Sequence, residues 1–203
     1  MKKIWGINLK FYNIFLILAM AIANILLHFA AQYLNANHVP MPLWLDCVGT
    51  IVAAIEAGPI AGALAGLPVY GIYIFTKPDW TLFTFNSVLI GITAGIFTRM
   101  KGIANWKNVV QLGLILAFID IVLASIIDQL LYNGLTGYAL ADMVFTGLSQ
   151  SIPLEISSII AESVMSIPDK IISVLLAYKI CSSYSLDRTS IPASGKLLNA
   201  RHE

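Results

Sequence analysis

Six apolar segments, separated by short breaks that are polar or contain glycine and proline, divide the chain. They cover about residues 10–34, 44–57, 60–76, 83–100, 108–131 and 168–182. Apolar runs of this kind predict helices, although several are shorter than the roughly 20 residues that a straight bilayer span needs. The pattern predicts an all-α integral membrane protein built as a six-transmembrane-helix bundle.

The second and third segments meet at Gly58-Pro59 and are rich in small residues. Gly58, Gly62 and Gly66 recur at every fourth position, so they share one helix face. Helices in a bilayer associate by close packing, and small residues allow their backbones to approach. We therefore expect a tight helical hairpin with one close-packed face, whose short first helix begins below the outer surface.

The segment from Tyr132 to Ile167 is the least regular part of the pattern. It contains several glycines and one proline, and its acids are Asp142, Glu155 and Glu162. A seventh span here would place the last four basic residues outside the cell. We favour an outer loop that holds one or two short amphipathic or re-entrant helices.

Composition and charge agree with a membrane protein. Hydrophobic residues make up 58% of the chain and charged residues 11%. With six spans, all but two of the 12 Lys and Arg residues lie on one side; the exceptions are Lys77 and Lys170. The positive-inside rule makes that side cytoplasmic and places both termini there. Residues 1–182 are expected to form the membrane domain, and residues 183–203 a polar, disordered cytoplasmic tail.

The sequence lacks the common motifs of catalysis. It has no glycine-rich phosphate loop and no Gly-x-Ser-x-Gly elbow, and its three histidines are too dispersed for a two-histidine metal motif. We expect no enzymatic activity, no cofactor, no metal site and no nucleic-acid partner. If the chain takes part in transport, the energy must come from a partner or an ion gradient.

Two acids lie in the fifth segment, where each charge costs about 2.5–3.5 kcal/mol at the centre of a helix. Asp120 is near the middle, and Asp128 follows eight residues later on the same face. Asp120 either holds the bundle together by hydrogen bonds or has a direct function. Asp128 is nearer the outer surface and is the better candidate for a ligand contact. Asp46 is expected to cap the second helix.

Aromatic rings, acids and amides gather at the predicted outer surface. Such rings often form only an interfacial belt, but with polar neighbours they suit a small planar molecule. Outer acids outnumber outer lysines, so a neutral or cationic ligand is favoured. Lys170 follows Pro168 at the expected start of the last helix, where a cation is disfavoured, so it should pair with an acid or face the ligand. The predicted ligand contacts are Trp44, Trp80, Asn86, Asp128, Tyr132, Glu162, Asp169 and Lys170.

Over residues 10–182 the chain resembles the substrate-binding S components of energy-coupling factor (ECF) transporters. The resemblance rests on Leu45-Asp46-x-x-Gly49-Thr50-x-x-Ala53-Ala54 and Gly58-Pro59-x-x-Gly62-x-x-x-Gly66. Ala19-x-x-x-Ala23 and Pro168-Asp169-Lys170 support it. The segment between the fifth and sixth helices is longer than this family leads us to expect, and no ligand-specific motif is recognised.

The resemblance implies a multi-pass protein of the bacterial plasma membrane that captures a small water-soluble vitamin or related micronutrient at its outer face. Its partners would be the ECF transmembrane coupling subunit and two cytoplasmic ATPases, with Ala19 and Ala23 facing the coupling subunit. Loops 35–44 and 77–82 would cap the pocket. Two alternatives remain open: a ligand-sensing membrane domain of a signalling system, and a stand-alone small carrier or channel.

Overall fold

A computed structural model describes residues 11–37, 42–75 and 77–184. These residues form seven α-helices and two 3₁₀ turns, with no β-strand among them. The helices are α1 (Phe11–Ala36), α2 (Val48–Ala57), α3 (Pro59–Gly71), α4 (Phe83–Lys101), α5 (Trp106–Tyr132), α6 (Ala139–Leu148) and α7 (Leu154–Tyr184). The 3₁₀ turns are Ile72–Phe75 and Pro78–Leu82.

The all-α fold class is confirmed. Each of the first five apolar segments coincides with one helix, and α6 is a short helix inside the segment that was predicted as an outer loop. Three helical stretches are long and apolar enough to cross a bilayer: Asn13–Ala36, Pro78–Lys101 and Trp106–Tyr132. Most of the basic residues that predict the orientation lie in residues 1–10 and 185–203. These two ends of the chain, and with them nearly all of the predicted tail, lie outside the described residues.

The predicted start of the last helix at Pro168 is wrong. α7 begins at Leu154 and runs for 31 residues, with Pro168 in its interior. Pro is common in the first helical turn, but a helix tolerates it elsewhere when tertiary packing offsets the lost backbone hydrogen bond. Asp169 and Lys170 therefore lie in the middle of a long helix, and the second half of the predicted loop belongs to that helix.

The close-packed glycine face is confirmed at the contact between α3 and α4. A Cβ atom added to Gly62 would lie 2.8 Å from the carbonyl oxygen of Gly91, and one added to Gly66 would lie 2.8 Å from that of Ser87. Gly91 in turn has no room for a Cβ atom against Gly62. Gly58 has φ +99°, which makes the sharp turn between α2 and α3 possible. At these glycines, α3 and α4 touch backbone to backbone.

Large apolar side chains are exposed along the outward faces of the helices. Phe15 and Leu26 on α1 are 66% and 64% exposed, and Phe118 and Leu130 on α5 are 69% and 78% exposed. Contiguous apolar surfaces of this kind are unusual in water and normal in lipid. Only 22% of the α1 span is buried, against 39% for the spans of α4 and α5, so α1 is the most peripheral of the three.

Candidate functional site

One end of the helix bundle contains a cavity with aromatic walls. α1, α3, α4 and α5 contribute side chains to it, together with the segment before α2, the second 3₁₀ turn and the segment between α5 and α6. The enclosed cavity volume is about 40 Å³, and the space between the walls is about 410 Å³ when the open solvent at the mouth is included. The lining residues are His28, Trp44, Tyr70, Trp80, Phe83, Asp128, Tyr132, Thr136 and Tyr138.

The rings of the cavity pack against one another edge to face or tilted. The ring centroids of His28 and Tyr70 are 5.1 Å apart, and those of Trp44 and Tyr138 are 5.6 Å apart. Tyr70 also lies 5.7 Å from Phe83. Aromatic pairs favour these arrangements, which fix the rings in place. Packing of the rings against one another therefore holds the wall in place.

Four polar atoms of the lining are buried without a hydrogen-bond partner among the described residues. They are Nδ1 of His28, Nε1 of Trp44, Oδ2 of Asp128 and the hydroxyl oxygen of Tyr138. Buried polar groups are nearly always satisfied, and each unsatisfied group costs about 1–3 kcal/mol. Four such groups around one cavity indicate that a bound molecule or ordered water completes their hydrogen bonds.

The tautomer of His28 follows from its neighbour. Gln32 accepts a hydrogen bond from the hydroxyl of Tyr73 through its carbonyl oxygen and donates its amide to Nε2 of His28 at 3.0 Å. A neutral imidazole that accepts at Nε2 carries its proton on Nδ1. His28, Trp44 and Tyr138 can therefore all donate into the cavity, whereas Asp128 can accept.

A buried ionic cluster lies behind the Trp44 and Tyr70 walls. Nζ of Lys170 is 2.7 Å from Asp169, 3.0 Å from Asp120 and 3.5 Å from Asp46. All four residues are at most 5% exposed. Lys170 also lies 5.4 Å from the centroid of the Trp44 ring. The expected pairing of Lys170 with acids from other segments is confirmed, and the cluster ties α7 to α5 and to the start of α2.

Backbone and side-chain donors satisfy the three acids further. The backbone amides of Trp44 and Leu45 donate to Oδ1 of Asp169 at 2.9 and 2.8 Å. Ser166 donates to Asp120 at 2.8 Å, and Asn86 donates to the other oxygen of Asp120. Such hydrogen bonds allow a buried ion pair to be tolerated. Asp120 thus connects α4, α5 and α7.

The expected capping role of Asp46 is wrong. α2 begins at Val48 after Cys47, and no side chain caps it. Asp46 instead accepts a hydrogen bond from the Tyr70 hydroxyl at 2.7 Å and faces Lys170. The attraction of a buried cation outweighs a helix-end contribution of about 0.3–1 kcal/mol. Tyr70 therefore links the cavity wall to the ionic cluster.

Asp46, Cys47 and Asp169 offer three potential metal-ligand atoms within 4.8 Å of one another. The ammonium group of Lys170 already provides the positive charge that Asp46 and Asp169 face. A metal ion would have to compete with this fixed cation. The geometry is better explained as an ion-pair cluster than as a metal centre.

The predicted ligand contacts fall into two groups. Trp44, Trp80, Asp128 and Tyr132 line the cavity. The other four lie outside its lining, although all are buried: Asn86, Glu162, Asp169 and Lys170. Their direct contact with a ligand stays a prediction. Asp169 accepts hydrogen bonds from the backbone of Trp44 and Leu45, and Asn86 and Lys170 contact Asp120.

Sequence reasoning did not select five of the lining residues as ligand contacts: His28, Tyr70, Phe83, Thr136 and Tyr138. His28 and Tyr70 lie inside apolar helices, where a single ring gives no signal of a site. Tyr138 belonged to the predicted outer aromatic group but was indistinguishable there from an interfacial ring. Helix spacing does offer a clue for His28, because Asn24, His28 and Gln32 share one face of α1.

Ala19 and Ala23 are half-buried on α1 beside its exposed apolar face. Leu18 and Ile22, each 58% exposed, belong to that face. Ala19 also lines a groove between α1 and the end of α7. The position is compatible with a docking surface and equally with lipid contact.

Comparisons with known proteins returned no match: no protein-family model, no curated protein and no solved structure is similar to this chain.

Proposed function

We propose that this protein is a membrane-embedded capture subunit for a small water-soluble vitamin or related micronutrient, of the kind found in ECF-type importers. Binding is reversible and involves no covalent chemistry. The ligand enters the aromatic cavity at the outer end of the bundle, while a coupling subunit and two ATPases supply the energy for uptake.

The observation that carries this proposal is the convergence of unsatisfied polar atoms on an aromatic cavity. Donors of His28, Trp44 and Tyr138 and the acceptor Oδ2 of Asp128 all lie in its lining. Five other buried polar atoms, on Asn86, Ser158, Glu162 and Ser173, also have no partner among the described residues, so the convergence of these four on one cavity is what supports a site. Aromatic faces with a few convergent polar groups are typical of sites for small planar molecules.

The proposal includes six spans, formed by α1 to α5 and α7, with both termini in the bacterial cytoplasm. α7 fits this topology despite its charges, because Glu162, Asp169 and Lys170 are all 0% exposed. Its outward residues, such as Ile159, are apolar. α2 has 10 residues and is only about 15 Å long, so it does not cross the full hydrocarbon layer. The buried segment before it would occupy the remaining depth.

The coupling subunit and the ATPases are proposed from the sequence resemblance. No nucleotide-binding motif occurs in the chain, so uptake against a gradient requires an energy source outside it. The exposed face of α1 offers a surface on which a membrane partner can pack, with Ala19 and Ala23 allowing close approach.

The proposal is tested by purifying the full chain and identifying the small molecules released on denaturation by mass spectrometry. We expect one planar, water-soluble compound in near-stoichiometric amount, and we expect Trp80→Ala to reduce its retention at least tenfold. Leu130→Ala, at a lipid-facing position on α5, is the matched control and should retain the compound. Purified protein that carries no compound and binds none from a vitamin library would contradict the proposal.

A further inference from the structure

We infer that the ligand of the aromatic cavity carries a positive charge, which is held between the aromatic rings and the carboxylate of Asp128. This inference deepens the proposed function and rests on it. The ligand would be an organic cation with a planar ring. The inference therefore concerns the charge and chemical class of the ligand, whereas the proposed function concerns its presence.

Asp128 is placed to meet such a charge. It lies on α5, is 2% exposed and lines the cavity, and its Oδ2 atom has no donor among the described residues other than a protonated Glu162. A buried carboxylate normally has a cation or several donors. Lys170 forms ion pairs with the three acids of the ionic cluster, Asp46, Asp120 and Asp169. It forms none with Asp128.

A second carboxyl group lies beside Asp128. Glu162 on α7 is within hydrogen-bond reach of Asp128, and neither of its oxygens has a donor from any other described residue. A hydrogen bond between the two carboxyl groups requires one shared proton, which leaves the pair with one negative charge. A cation in the cavity would balance that charge.

The mouth of the cavity holds one carboxylate and one ammonium group. Tyr132 donates its hydroxyl to Asp79, which brings a further carboxylate to the rim. Lys77 places its ammonium group 4.1 Å from the centroid of the Trp80 ring, so a cation of the chain itself already uses one aromatic face there. Lys77 is exposed, and its charge is therefore well screened by solvent. Cations over Trp and Tyr rings gain about 0.5–2 kcal/mol.

The donor set argues for an organic cation rather than a metal ion. Hard metal ions such as Ca²⁺ and Mg²⁺ need about six or more oxygen ligands, and zinc needs a compact set of about four nitrogen, sulfur or oxygen ligands. The cavity lining supplies one carboxylate, one imidazole that donates through Nδ1, and otherwise mainly aromatic carbon. A protonated amine or a charged ring satisfies Asp128, while a ring or side-group acceptor receives hydrogen bonds from Trp44 and Tyr138.

The test uses three aromatic probes of similar size and different charge: benzylammonium, benzyl alcohol and benzoate. Their affinities for the full chain in detergent are measured by isothermal titration calorimetry at neutral pH. We expect benzylammonium to bind at least tenfold more tightly than the neutral and anionic probes. Asp128→Asn should weaken benzylammonium binding about tenfold, equivalent to about 1.4 kcal/mol, and leave benzyl alcohol unchanged.

Glu155→Gln is the matched control, because it removes one negative charge from an exposed position in the first turn of α7. It should leave benzylammonium binding unchanged. Equal affinity for the three probes, or tighter binding of benzoate, would overturn the charge inference and leave the proposed capture function intact. If no probe binds and no small molecule copurifies, the proposed function fails together with this inference.

Discussion

The ammonium group of Lys170 on α7 lies 3.0 Å from Oδ2 of Asp120 on α5, and both side chains are almost completely shielded from solvent. The same ammonium contacts Asp46 and Asp169. One lysine therefore contacts three acids that come from different parts of the chain. The predictions below begin with this cluster.

Lys170→Met should strongly destabilise the protein. Removing the only cation from the cluster leaves three acids without an ion-pair partner, and breaking a buried pair in this way costs about 3–5 kcal/mol. The free energy of unfolding in mixed detergent micelles measures the effect. Lys179→Met, at an exposed position on the same helix, should change it by less than about 0.5 kcal/mol. Equal effects of the two substitutions would show that the ion pairs do not stabilise the fold.

Asp120→Asn should reduce stability without reducing ligand affinity. Asp120 contacts Lys170, Ser166 and Asn86 but does not line the cavity. Loss of the charge-assisted contact should cost about 1.5–3 kcal/mol, and benzylammonium affinity should stay within about twofold of the wild-type value. Unfolding and calorimetric titration measure the two quantities. Lost binding with unchanged stability would instead favour the direct functional role that the sequence left open.

Gly91→Ala should separate α3 from α4 and destabilise the bundle. An added methyl group would collide with the backbone at Gly62, and overpacking of this kind costs about 1–3 kcal/mol. Gly147→Ala in α6 is the control, because nothing lies within 4 Å of the added atom. That substitution should be neutral or stabilise by up to about 1 kcal/mol, since alanine favours helix. A destabilisation by Gly147→Ala as large as that by Gly91→Ala would contradict close helix contact as the cause.

Ala19→Trp should weaken association with the proposed coupling subunit and leave ligand affinity unchanged. A tryptophan at this position would hold a partner helix away from α1, where Ala19 now permits close approach. Co-purification with the coupling subunit measures the effect, and we expect at least a tenfold loss. Val122→Trp, on the exposed face of α5, adds similar bulk elsewhere and should have no effect. Unchanged complex formation by Ala19→Trp would remove this face of α1 from the docking site.

Most helices follow from the length of the apolar runs. The segment predicted at 83–100 became Phe83–Lys101, and 108–131 became Trp106–Tyr132. α7 was missed in its first half because Glu155 and Glu162 interrupt the apolar pattern and Pro168 resembles a helix start. A helix can include these residues only when tertiary contacts bury them. Glu162, for example, is fully buried inside the bundle.

The candidate site was predictable only in part. Trp44, Trp80, Asp128 and Tyr132 stood out because aromatic and acidic residues at a membrane surface are informative. The contact between Asp46 and Tyr70 joins residues 24 positions apart, and no local pattern identifies such a pair. The sequence likewise indicated that Lys170 needs an acid but not which acids would surround it.

The glycine contact between α3 and α4 restricts the motion of one wall of the cavity. Tyr70 and Phe83 belong to these two helices, which cannot slide past each other without steric collision. Residues 133–138 form another side of the lining, through Thr136 and Tyr138. Asn35 fastens that side by bonding the carbonyl of Gly137 and the amide of Ala139, at 3.1 and 3.2 Å. Two hydrogen bonds at exposed positions therefore tie this part of the lining to α1, whereas steric exclusion between glycines fixes the other part.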